Sequence, residues 1–176
     1  FKVGVGSVAI AALYERILER DLGNLDIDAV RDAWPNRDEV ERYVRAAHTS
    51  PDLEAGAVEQ SLAKYISAEE LAERLEKLRE VWPDLRGRLA DQLMPAAQIT
   101  EMLRAAGCPT KPTEIGLGWE EFEATYSRAR TIRKRYTVLD LAAEAGVFDE
   151  CVEELFAPDG FWGREAASQA QAGGAG

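Results

Sequence analysis

Apolar residues recur along this chain at the spacing of helix faces, beginning in its first turn. Val3, Val5, Val8, Ile10, Leu13, Ile17 and Leu18, with Ala9, Ala11 and Ala12 between them, predict a mostly buried first helix that becomes amphipathic around Glu15, Arg16, Glu19 and Arg20. Asp21 to Asn24 ends it, with Gly23 as the C-terminal cap. Asp26 or Asp28 caps a short second helix reaching Trp34, where Pro35 blocks continuation. A third helix runs from near Asn36 to about His48. A fourth has Ser50 at its cap and Pro51 in its first turn, and continues to about Tyr65. Ser67 and Glu70 then read as a capping box for a helix whose inner face is Leu71, Leu75, Leu78 and Trp82. Pro83 closes or kinks that helix, and Pro83-Asp84 restarts one through Leu85, Leu89 and Leu93. Pro95 opens another, carrying Ile99, Met102 and Leu103 to Gly107.

Between Gly107 and Gly118 the pattern breaks into glycines and prolines, which predicts the one real internal loop. Past it, Phe122, Tyr126, Ala129, Ile132, Tyr136 and Leu139 fall on one helical stripe, with Arg130, Arg133 and Lys134 on a neighbouring face. A short helix follows over Val138 to Ala145, and a last one near Asp149 to Phe156. From Glu165 onward Ala, Gln, Ser and Gly predict a frayed tail. No segment alternates with period two and β-branched enrichment, so the expected fold is all-α. The reading is a compact helical bundle, with one domain over 1–163 and a disordered tail over 164–176.

Composition narrows the partners. The chain has 176 residues and a formal net charge of -11, with pI near 4.7, so neither nucleic acid nor an anionic membrane is an expected partner. No apolar run approaches a membrane span, and the start lacks a signal-peptide layout, so a cytoplasmic protein is expected. Cys108 and Cys151 are isolated thiols without CxxC spacing; a disulfide between them is compatible with the sequence, and reduced structural cysteines are the cytosolic expectation. Phe1 stands where an initiator Met would, with a helix pattern already under way, so a piece of something longer is expected.

Against this acidic background, Arg128, Arg130, Arg133, Lys134 and Arg135 form a local reversal of sign. Such a cluster complements the C-terminal end of a helix dipole, with Glu120, Glu121 and Glu123 at the other end. Alternatively, Arg130, Arg133 and Lys134 form a docking face for an acidic partner or a phosphorylated ligand, as in a free-standing interaction module. Other candidates read as structure. Gly4-Val-Gly6-Ser-Val-Ala9 matches a dinucleotide fingerprint, but it lies inside a helical pattern with no strand before it, so close helix packing explains its small residues. His48, the single histidine, sits beside a helix end where it complements carbonyls, and no partner marks it as a general base. Glu69, Glu70, Glu73, Glu76 and Glu80 interleave with Arg74, Lys77 and Arg79 as helix-surface pairs. Trp34, Trp82, Trp119 and Trp162 stand near helix boundaries, where a ring with one N–H seals the edge of a core; a ligand cage is the rival reading.

Two blocks carry a family resemblance: Phe1 to Glu15, and Ala106 to Gly118 together with the run Trp119 to Leu141. In order and separation they resemble the C-terminal helical domain of the iron-containing alcohol dehydrogenase superfamily, specifically its sn-glycerol-1-phosphate dehydrogenase branch. Arg135-Tyr-Thr-Val-Leu-Asp-Leu141 is the more specific block and ranks glycerol dehydrogenase and dehydroquinate synthase lower. The resemblance covers the chain to about Phe148, with a variable middle. It implies a two-domain enzyme that reduces dihydroxyacetone phosphate to sn-glycerol 1-phosphate with NAD(P)H. A zinc or nickel ion acts there as Lewis acid. It further implies an N-terminal nucleotide-binding domain as partner, compatible with a homo-oligomer, and an inactive chain on its own. The family's metal ligands, an Asp and two His, have no matching positions here, and neither do its cofactor and principal substrate contacts. No catalytic, cofactor-binding or metal-binding residue is therefore assigned.

Overall fold

The all-α expectation holds in a computed structural model, which describes residues 2–48 and 50–173. Among them are α1 (Lys2–Leu18), α2 (Ile27–Asp32), α3 (Arg37–Ala47), α4 (Pro51–Leu62), α5 (Ala68–Gln92), α6 (Ala96–Ala105), α7 (Trp119–Thr131), α8 (Val138–Glu144), α9 (Phe148–Phe156) and α10 (Phe161–Gly173). Two 3-10 turns, Leu22–Asn24 and Pro112–Ile115, complete the regular structure, and the described residues form no strand. No helix among them is long and apolar enough to cross a membrane. Where one domain was expected over 1–163, the chain divides into two compact units. The first comprises Phe1–Arg20, Arg86–Glu123 and Asp149–Gly176; the second comprises Asp21–Leu85 and Ala124–Phe148.

In the first unit α1 packs on α6 and buries Val5, Val8, Ala12, Leu13 and Ile17. Small residues permit the approach: a Cβ at Gly4 would lie 3.1 Å from the Pro109 carbonyl oxygen and 3.5 Å from Leu103. Glu15 reaches the start of α6, its Oε1 accepting the Ala96 N–H at 3.0 Å. At the other end of α6, Gly107 at φ 69° lets Cys108 N–H bond back to the Leu103 carbonyl at 2.9 Å and Gly107 N–H to that of Arg104 at 3.0 Å. Phe122 and Trp162 meet edge-on at 5.0 Å, with Phe156 6.0 Å from Phe122, and close the aromatic part of this core. Both cysteines are free thiols, and burial pushes that of Cys151 up, against the pull of Arg20.

The residues expected to fray from 164 are helical as far as Gly173; 174–176 lie outside the described residues. Alanine and glutamine are good helix formers, and tertiary pairs anchor the segment. Glu165 receives Arg104 at 3.1 Å and Lys111 at 2.7 Å, while Thr113 donates to Gln169 at 3.0 Å. Composition alone carried no trace of these anchors.

The loop before α7 hangs on Glu114, whose Oε2 accepts the Thr110 N–H at 2.7 Å and the Lys111 N–H at 3.0 Å. Partial loss of water works to raise its pKa, but the two backbone donors win and hold it below the usual carboxylate range. A depressed folded value contributes stability that is present above the unfolded pKa of about 4.5 and is lost as pH falls through the folded value. Glu114→Gln should therefore lower stability at neutral pH and flatten its decline on acidification, measured by urea unfolding across that range. An acid limb identical to that of the parent would refute the assignment.

In the second unit α3 packs on α4 around Val44, Ala57 and Val58, with Val40 and Leu62 against them. Leu71, Leu75, Leu78 and Trp82 line the buried face of α5. The Ser67–Glu70 capping box forms as read, Ser67 N–H donating to Glu70 at 2.8 Å and Glu70 N–H to Ser67 at 3.2 Å. Asn36 and Glu39 make a second such box at α3, and Asp26 caps α2. Some boundaries differ. The first helix stops at Leu18, short of Gly23, and α2 stops at Asp32. The prolyl break at Pro83 does not occur: α5 runs through it to Gln92, and Trp82 lies inside the helix with 2% exposure. Pro83 is on the exposed face, where water can satisfy the Arg79 carbonyl deprived of its donor.

Candidate functional site

The basic run does not continue as a helix. α7 ends at Thr131, so Arg133, Lys134 and Arg135 follow in an exposed loop, and Arg130, Arg133 and Lys134 share no helical face. Tertiary capture of the terminal carbonyls accounts for the stop. Thr131 Oγ1 donates to the Arg128 carbonyl at 2.8 Å, Lys64 Nζ to that of Arg130 at 2.5 Å, and Ser61 Oγ to that of Thr131 at 3.1 Å. Continuation would also stack Arg130 under Lys134, a repulsive spacing on a helix. Since Thr131 spends its single proton on Arg128, it accepts from His48 at 2.7 Å, which puts a proton on Nε2 of the ring. His48 thus helps secure this helix end, and its partner is a hydroxyl in place of the carbonyls expected.

Beside that helix end, within the second unit, a cleft of about 380 Å³ opens. Trp34 and Pro35 precede α3, which contributes Glu39, Val40, Tyr43 and Val44 to its wall. Ser61, Lys64 and Tyr65 come from the end of α4 and just beyond. Arg130, Thr131, Tyr136, Asp140 and Glu144 complete it. The volume is that of an ordinary small-molecule pocket. Several aromatic side chains spend their polar ends on the protein. Trp34 Nε1 donates to the Ile66 carbonyl at 3.0 Å, Tyr65 OH to that of Pro35 at 3.2 Å, and Tyr136 OH to Glu144 at 2.8 Å. What they offer a ligand is apolar surface.

The carboxylates in the wall are also engaged. Asp140, 5% exposed, takes Lys64 at 2.6 Å on Oδ1 and the Thr137 N–H and hydroxyl at 2.8 and 3.1 Å on Oδ2. Glu144, 6% exposed, divides its oxygens between Arg74 at 2.6 Å and Tyr136. Glu39 accepts the Asn36 N–H at 2.8 Å. Burial, reinforced by the Glu144 carboxylate, pushes the Tyr136 phenol well above its usual range and keeps it a neutral donor. Arg74, read from sequence as a surface pair of its own helix, instead crosses to Glu144 and lies 5.3 Å from the Tyr136 ring centre.

Arg130 differs from the other lining cation. Its guanidinium lies 5.9 Å from the Tyr43 ring centre and 6.0 Å from that of Phe148, and its Nε is buried without a hydrogen-bond partner. Among the described residues it has no ion pair, whereas Lys64 is neutralised by Asp140. The arrangement can hold a small ligand.

No family model matches this chain, and neither a curated protein nor a solved structure matches it. Of the candidates found in sequence, only Arg130 and Trp34 enter the cleft. Lys64, Tyr65, Asp140 and Glu144 were missed as site residues, although the spacing of Thr137 and Asp140 carries a helix-start signal. The described residues contain no group of three or more His, Cys, Asp or Glu placed to hold a metal. Gly4 and Gly6 lie within α1, away from any strand-to-helix turn. The described residues thus fit neither the metal nor the dinucleotide that the resemblance implies.

Proposed function

We propose that this chain belongs to the C-terminal, metal-site-completing helical domain of an sn-glycerol-1-phosphate dehydrogenase-like enzyme, acting with an N-terminal nucleotide-binding domain and with metal ligands from residues upstream of Phe1. Support comes from the two blocks that carry the resemblance. Far apart in sequence, Phe1 to Glu15 and the beginning of the block from Ala106 lie in one unit, with the Gly4 backbone close against Pro109. That approach favours a residue without a side chain at Gly4, so this glycine of the first block is accounted for by the second block's loop. The reaction of such an enzyme is NAD(P)H-dependent reduction of dihydroxyacetone phosphate to sn-glycerol 1-phosphate, with zinc or nickel as Lewis acid.

The upstream reading frame provides the test. Expressed with it, the protein should oxidise NADH or NADPH only when given dihydroxyacetone phosphate, and a chelator should abolish this until zinc or nickel is restored. The 176-residue chain alone should be inactive. Dehydrogenase activity from the chain by itself, or an in-frame stop codon followed by a start just ahead of Phe1, would defeat the proposal.

A further inference from the structure

We infer that the cleft of the second unit is a binding site for a small aromatic monocarboxylate, with Arg130 as the anion-holding residue. This goes beyond the dehydrogenase reading and does not depend on it.

The walls of the cleft already satisfy most of their own polar groups. Trp34, Tyr65 and Tyr136 have their polar ends bonded inside the unit, leaving ring surface beside Val40 and Val44 for a flat apolar body. The polar requirement left over is cationic. Arg130 is held over aromatic rings without a carboxylate, and one of its N–H groups is shut from solvent without an acceptor. That N–H is closed to a ligand as well as to water, so what the cleft offers is the pair of Nη groups of Arg130, which no carboxylate among the described residues engages. A planar guanidinium matches an entering carboxylate in two-point geometry. The number of charges in the ligand follows from the remaining wall. Glu39, Asp140 and Glu144 all line the cleft, so a dianionic phosphate ester meets more repulsion than a monoanion does. A volume of about 380 Å³ suits a one- or two-ring acid.

Isothermal titration of the full chain with benzoate, phenyl phosphate and benzyl alcohol tests each element. Benzoate should bind in the millimolar range or tighter, and benzyl alcohol, of the same size without the charge, at least about tenfold more weakly. Phenyl phosphate should bind less tightly than benzoate. Arg130→Gln should weaken benzoate about tenfold with unchanged thermal unfolding, while Arg133→Gln, in the exposed loop, should leave it alone. The comparison between benzoate and benzyl alcohol needs no variant, so it decides the matter even where Arg130→Gln fails to fold. The inference is overturned by any of four results: no benzoate binding at about 10 mM, equal affinity for benzyl alcohol, tighter binding of phenyl phosphate, or a folded Arg130→Gln protein with parental affinity.

Discussion

Alanine in place of Gly163 should destabilise the first unit by about 3 kcal/mol or more. α9 ends at Phe156 and α10 begins at Phe161, so the first turn of α10 passes close over the last carbonyls of α9. A Cβ at Gly163 would press into the Ala157 carbonyl group and stand 3.1 Å from the carbonyl oxygen of Phe156. Those atoms are backbone, and they cannot swing aside as the end of a long side chain can. Gly160 is confined in the same way by the carbonyls of Glu154 and Leu155. The cost spreads because α10 carries Trp162, 1% exposed, and Glu165 with its two cations. Urea unfolding followed by far-ultraviolet dichroism and tryptophan fluorescence measures it. Gly87 is the control: it lies on an exposed part of α5 with nothing within 4 Å of a Cβ, so Gly87→Ala should stabilise by up to about 1 kcal/mol. Equal midpoints for Gly163→Ala and the parent would show that the two helices do not pass so closely.

Asp140→Ala should cost the second unit about 3 kcal/mol, because it leaves the ammonium of Lys64 in a largely buried place without its anion. The same change removes the acceptor of the Thr137 N–H at the start of α8. Asp140→Asn keeps an oxygen for that N–H and should lose less. Removing both charges with Lys64→Met and Asp140→Ala together should cost less than the sum of the single losses, since neither ion is then stranded. Lys64 also donates to the Arg130 carbonyl, so Lys64→Met alone should loosen the end of α7. Thermal unfolding of the four proteins gives the coupling, and strictly additive losses would contradict the pair.

The inner faces of the helices were legible because burial follows spacing. Leu71, Leu75, Leu78 and Trp82 come out on one buried face, and the Ser67–Glu70 cap forms at the residues that name it. The stripe through the basic run was less legible. Phe122 and Tyr126 are buried as the period predicts, but Ala129 is exposed within α7, and Ile132 and Tyr136 lie past its end, Tyr136 with its hydroxyl held inward on Glu144 and part of its ring exposed. Its stop depends on Ser61 and Lys64, about seventy residues earlier in sequence, and no local pattern records which side chain will reach a carbonyl. Pro83 shows the opposite error. The local rule called for a stop or a kink; the helix does not stop, because the proline lies on the exposed face.

Sequence alone determined that this is a helical protein, where most of its helices lie, and that its formal net charge is -11. Those properties are sums over residues or repeats at short range, and period and charge express them directly. Tertiary structure alone decided that Lys64, Tyr65, Arg130, Asp140 and Glu144 surround one cleft, and that Arg130 among its cations is left without an anion. Pairing of charges is settled by distance in space, where an interaction falls off within a few ångströms, and the chain order of these residues carries no measure of that distance.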